Sequence, residues 1–128
     1  MLFRSLFNVF PLPRSSGFRR SFAHAGEALD HGYSVLIFPE GRRSEDGRLH
    51  AFRPGIGLLA MQSRVPVLPV ALRGLGQLKR EKSRWFRSGK LTIHVGDLIP
   101  FDNNAEPMDL TRAFEGTIRD LESQGHEN

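Results

Sequence analysis

The stretch from Tyr33 to Gly41, Tyr-Ser-Val-Leu-Ile-Phe-Pro-Glu-Gly, constrains the fold more than any other part of the chain. Val35 to Phe38 are consecutive apolar residues bounded by Gly32 and Pro39, the pattern of a short strand buried on both faces. Pro39 fixes the approach to the turn and has no N–H to donate, while Gly41 can adopt backbone states closed to other residues. A carboxylate, Glu40, therefore leaves a strand end rigidly, and two arginines, Arg42 and Arg43, follow it. Strand ends are where ligands of α/β folds bind, so this junction is the first place to look for a site.

The flanking pattern supports an α/β layer. Phe18, Phe22, Ala25 and Leu29 recur at helical spacing, with Gly32 as the stop. Residues 44–52 are a polar excursion with a tight turn at Asp46-Gly47, and a helix is predicted to start near Pro54, which a first helical turn tolerates. Residues 65–72 read as a second strand, and Pro69 inside it calls for an edge, a bulge or an unpaired stretch. Leu91, Ile93 and Val95 alternate with Thr92 and His94, giving a strand with one polar face. Leu110, Ala113, Phe114, Thr117, Ile118 and Leu121 predict a last helix over about 109–123, with Asp109 as its N-cap. At 128 residues the chain fits one domain, 1–128, with few strands.

Composition excludes several classes. There is no cysteine, hence no disulfide and no thiolate metal site, and the five histidines are scattered, so no metal is expected. No apolar run reaches the roughly 20 residues of a membrane-spanning helix. The proline-broken opening, with Pro11 and Pro13, makes a poor secretory signal; its arginines without acids also mimic a transit peptide, but the preferred location is cytoplasmic and peripheral at a membrane surface. The net charge of +4 is unevenly spread: from Arg48 to Gly96 ten Lys or Arg face Glu81 alone, and from Asp97 onward eight acids face two arginines. A basic middle favours anionic partners such as phosphate esters, nucleotides or membrane headgroups.

Arg14, Arg43 and Arg73 stand beside apolar strands or turns, and a guanidinium fork suits the oxygens of a phosphate. Each also reads as a solvated charge at a sheet edge. Glu40 either accepts a substrate hydroxyl, holds Arg42 or Arg43, or is a plain turn residue. No histidine carries a well-spaced carboxylate, although His94 and Asp97 flank one strand end, and no Gly-x-Ser-x-Gly elbow or cysteine nucleophile is present. The glycines of Arg53-Pro-Gly-Ile-Gly precede a helix without completing a phosphate-binding fingerprint, leaving only a weak anion site at the helix N-terminus near Gly55.

Phe38-Pro-Glu-Gly-Arg-Arg-Ser44, followed by residues 52–60 and 65–72, resembles the glycerolipid acyltransferase family, whose best-known members are the 1-acyl-glycerol-3-phosphate acyltransferases. The third family motif, Phe-Pro-Glu-Gly-Thr-Arg-Ser, is matched at all positions except Arg42; the fourth is matched at Pro69, and the second, more loosely, by residues 8–14 ending in Arg14. The resemblance runs from about residue 6 to 100 and implies a partial glycerol-3-phosphate acyltransferase-like sheet flanked by helices. It implies that Arg14, Glu40, Gly41 and Arg43 bind the glycerol phosphate of a glycerophospholipid acceptor and that Pro69 shapes the substrate channel. Arg42 and Arg73 are additional candidates for phosphate contact. Acyl-CoA or acyl-carrier protein would be the co-substrate, with no cofactor and no metal.

The family's first motif, His-x-x-x-x-Asp, supplies its general base and is absent from this sequence. The resemblance thus implies the carboxyl-terminal part of such an enzyme, with no catalytic residue in this chain and negligible transfer by the chain alone, since a general base contributes about 10²- to 10⁴-fold. The alternative is a nonenzymatic anionic-lipid or phosphate-binding fragment. Nucleic acid is disfavoured: the basic residues 78–87 include Trp85 and Phe86, but they are confined to one connection with no recognised binding motif.

Overall fold

A computed structural model describes residues 18–41, 48–75 and 89–124. In chain order these form helix α1 (Phe18–Asp30), helix α2 (Gly55–Ser63), strand β1 (Val70–Arg73), strand β2 (Thr92–Val95) and helix α3 (Pro107–Gln124). It is an α/β arrangement with a small antiparallel sheet. No helix among the described residues is long and apolar enough to cross a membrane.

Helix α1 ends as its sequence requires. Gly32 takes φ +80°, its N–H donates to the Leu29 carbonyl at 2.9 Å, and the Tyr33 N–H reaches back to Ala28 at 3.0 Å. Those two bonds satisfy carbonyls that the helix leaves open, and glycine is the residue that adopts this φ without strain. Helix α2 begins after Pro54, as expected. Helix α3 begins two residues before the predicted start: Pro107 occupies its first turn, the Leu110 N–H bonds to Glu106 at 3.0 Å, and Asp109 lies within the first turn instead of capping it.

The sheet pairs β1 with β2, Val70 opposite Val95, Ala71 opposite His94, Leu72 opposite Ile93 and Arg73 opposite Thr92. A separate bridge joins Val67 to Ile99, with both amides bonded, at 2.9 and 2.8 Å. Pro69 lies between the two pairings, buried, and only its carbonyl takes part, accepting the Gly96 N–H at 3.0 Å. A residue without an N–H interrupts the ladder there, which is the unpaired stretch that its position called for.

Helix α3 packs against both strands and against α2. The closest approach is at Gly57 of α2, where a Cβ would lie 2.5 Å from the Thr111 hydroxyl and 2.8 Å from the Pro107 carbonyl carbon. Thr111 is buried; its hydroxyl accepts the Gly57 N–H at 3.2 Å and donates to the Pro107 carbonyl at 2.9 Å. Around this contact sits the main apolar cluster: Phe52, Ala60, Leu110 and Phe114, with Leu49, Ile56, Val67 and Ile118 packed on it.

Two expectations are reversed. Residues 33–38 are not a strand buried on both faces: they carry no strand pairing, and Tyr33, Leu36 and Phe38 are 69%, 78% and 64% exposed. Their apolar character gives the capacity for burial, but no neighbouring strand among the described residues covers them. In β2 the alternation holds while its sense is inverted. Ile93 and Val95 are each 59% exposed, and Thr92 and His94 are half-buried, because the sheet turns the side carrying small, buried Ala71 inward.

Candidate functional site

The candidate site grows from the turn at Pro39-Glu40-Gly41. The Gly41 N–H bonds to the Phe38 carbonyl at 3.2 Å, closing the turn, and Gly41 has φ +66°, in the left-handed region that favours glycine. The turn is tied to residues 48–53 by two further bonds. The Arg53 N–H donates to the Pro39 carbonyl at 3.0 Å, and the His50 N–H donates to Glu40 Oε2 at 2.9 Å. Glu40 is half-buried, and this bond engages one of its two carboxylate oxygens.

The Arg53 side chain lies over Gly41. A Cβ on Gly41 would meet Arg53 Nε first, then Cδ at 2.8 Å and Cζ at 3.1 Å, so the glycine is required by space as well as by φ. Arg53 is half-buried. Neither role of the 48–53 segment is visible in local sequence pattern, because the twelve-residue separation of Gly41 from Arg53 has no periodic signature.

Segment 48–53 is held from its other side by α3. Glu115 Oε2 accepts the Phe52 N–H at 2.9 Å, and its Oε1 accepts Arg119 Nη2 at 2.7 Å. The backbone donor first, then the Arg119 side chain, holds the Glu115 carboxyl below its ordinary pKa against a smaller opposing effect of burial. The i,i+4 spacing of Glu115 and Arg119 was legible in the sequence. The reach of Glu115 across 63 residues to Phe52 was not.

Glu40 and Gly41 are therefore brought together with His50 and Arg53. Pro69 lies elsewhere: it is buried beside Gly96, whose added Cβ would sit 3.0 Å from Pro69 Cγ and 3.0 Å from Leu121 Cδ1. Arg73 is half-buried at the end of β1, opposite Thr92. Arg14, Arg42 and Arg43 lie outside the described residues. At the start of α2 three of the amides bond to protein: the Gly57 N–H goes to Thr111, the Ile56 N–H to Arg53 at 3.3 Å and the Leu58 N–H to Pro54 at 3.4 Å.

Two of the described histidines lie on α1 and at its end, beside Glu27. His24 stands 3.9 Å from Glu27 on the exposed face of α1, and His31 Nδ1 lies 2.7 Å from the Glu27 carbonyl, also exposed. No hydrogen bond or ion pair joins His94 to Asp97 among the described residues, and none of their His, Asp and Glu side chains group in a set of three able to hold a metal ion.

The Acyltransferase family profile matches residues 2–73, more than half of the chain, and spans the Pro39-Glu40-Gly41 turn and the segment bonded to it. The chain belongs to the acyltransferase family. Over 88 residues it is 35% identical to 1-acyl-sn-glycerol-3-phosphate acyltransferase beta of Homo sapiens, an alignment covering 68% of this chain and 32% of that protein. It is 40% identical over 70 residues to the 1-acyl-sn-glycerol-3-phosphate acyltransferase of Cocos nucifera, covering 55% and 23% respectively. Among solved structures, the 1-acyl-sn-glycerophosphate (LPA) acyltransferase PlsC of Thermotoga maritima superposes with a TM-score of 0.75 at 28% identity, covering 83% of this chain and 44% of that one. The acyltransferase chain thus spans about a third or less of the curated relatives it matches.

Proposed function

We propose that this chain carries the acceptor-binding part of an acyltransferase acting on 1-acyl-glycerol 3-phosphate, with the acyl group supplied by acyl-CoA or acyl-carrier protein. The observation that carries this reading is the turn at Pro39-Glu40-Gly41, bonded through its carbonyl and its carboxylate to Arg53 and His50. Arg14 and Arg43 bind the acceptor's phosphate, with Arg42 and Arg73 as additional contacts, and Glu40 orients the glycerol through the carboxylate oxygen not engaged by His50. Pro69, buried in the interruption of the ladder, shapes the channel wall indirectly.

In the transfer, the acceptor hydroxyl oxygen attacks the thioester carbonyl, a C–O bond forms, the C–S bond breaks, and the hydroxyl proton must go to a base. This sequence has no His followed five residues later by Asp. The chain on its own therefore binds the acceptor without transferring acyl groups at an appreciable rate. It works at the cytoplasmic surface of a membrane, to which its basic middle and its exposed apolar residues give affinity.

Purified chain is assayed with lysophosphatidate and acyl-CoA and, separately, for binding to vesicles with and without lysophosphatidate. Binding that depends on lysophosphatidate, without turnover, is expected. Robust turnover abolished by a single His substitution overturns the inactivity, and equal binding to both vesicle types overturns the acceptor assignment.

A further inference from the structure

Arg53 belongs to none of the motif positions through which the sequence pointed to an acceptor site. Its placement is nonetheless tied to that site at both ends. The backbone N–H is bonded to Pro39 at 3.0 Å, and the guanidinium Nε and Cζ lie directly over Gly41, where any side chain would displace them. No carboxylate among the described residues pairs with this cation, although Glu40, one residue from Gly41, is engaged by the His50 amide. A half-buried arginine whose stem is fixed and whose fork has no acidic partner among the described residues is prepared for an anion with paired oxygens.

We infer that Arg53 is a further acceptor-binding residue, its guanidinium donating to the phosphate monoester of the glycerol phosphate beside the Gly41 turn. This rests on the acceptor reading above and adds a specificity determinant to it. Arg53 makes the site prefer the phosphorylated acceptor over the same acyl glycerol without phosphate. Gly41 has a second role in this arrangement, since its lack of a Cβ leaves the space that the Arg53 side chain occupies.

The test measures affinities of the full chain for a short-chain 1-acyl-glycerol 3-phosphate below its micelle concentration, for the corresponding monoacylglycerol and for inorganic phosphate. Wild type is expected to favour the phosphorylated lipid. Arg53→Gln should reduce that preference by about tenfold or more through the phosphorylated ligand alone, the size of a lost charge-assisted hydrogen bond, and Arg53→Lys should retain part of it. Inorganic phosphate binding equally well would assign Arg53 to a general phosphate site and overturn the lipid specificity.

In wild type, the Arg53 Nε–H resonance should shift on titration with the phosphorylated lipid and not with monoacylglycerol, a readout that does not depend on the variants folding. A wild-type preference that survives intact in Arg53→Gln, with an unmoved Nε–H resonance, overturns the role of Arg53 and leaves the acceptor reading standing. A wild type with no preference overturns the acceptor reading, and Arg53 with it.

Discussion

Two regions of this chain have equal claims to burial in their sequences and opposite fates in the structure. Residues 52–61 are apolar and glycine-punctuated, and they are clamped between α3 and the turn at Gly41, with Phe52, Leu59 and Ala60 buried. Residues 33–38 are at least as apolar, yet Leu36 is 78% exposed. The difference lies in long-range partners. Gly57 meets Thr111 across 54 positions and Phe52 meets Glu115 across 63, whereas residues 33–38 carry no strand pairing, and Val35 and Ile37 are only half-buried while Leu36 and Phe38 are exposed. Apolar sequence sets the capacity to be buried, and neighbours decide whether it is used.

This contrast can be broken most sharply at Phe114, one of the two phenylalanines of the cluster. Phe114→Ala should lower the free energy of urea unfolding by about 3–5 kcal/mol, a large share of the stability of a domain of this size. Next in size, Gly57→Ala forces α2 off α3, because its methyl group would overlap backbone of Pro107 and the Thr111 hydroxyl. A loss of about 2–3 kcal/mol is expected by the same measurement, in spite of alanine's better helix propensity.

A smaller, pH-dependent effect belongs to Glu115. Its folded-state pKa is depressed, first by the Phe52 N–H and then by Arg119, so the stability it contributes is present in full above its unfolded value, about 4.3, and is lost as pH falls through the folded value. Glu115→Gln should flatten the fall in urea midpoint below about pH 4.3 relative to wild type. The smallest effect is expected in the exposed region: Leu36→Ser should change stability by no more than about 0.5 kcal/mol. A loss above about 2 kcal/mol at Leu36 would show that 33–38 is buried in solution, and the contrast between the two regions would fall.

Elements with a local cause were legible in the sequence. Gly32 stops α1, Pro54 precedes α2, Pro69 interrupts a ladder, and the spacing of Leu110, Phe114 and Leu121 gives the buried face of α3. Features decided at a distance were not. Thr111 was absent from the predicted stripe because its burial depends on a glycine in another helix, and Ala113, which fitted the period, is exposed. The sense of burial in β2 followed the small side chain of Ala71 on the neighbouring strand, which an alternation of apolar and polar residues does not encode.

The same division runs through the candidate site. Glu40 and Gly41 stood out because a proline and a glycine bracket a carboxylate at the end of an apolar run. Arg53 and the amide of His50 did not, since only the folded loop returns them to the turn.

On the reading proposed above, the turn at Glu40-Gly41, with the segment bonded to it, recognises a phosphorylated glycerol. That reading is tested most directly by following backbone amide resonances during titration with short-chain 1-acyl-glycerol 3-phosphate and, in parallel, with monoacylglycerol. Saturable shifts concentrated at Gly41, His50 and Arg53 with the phosphorylated lipid alone are the predicted result. Shifts of equal size with both lipids, or shifts confined to residues 33–38 and the outer face of β2, would contradict it.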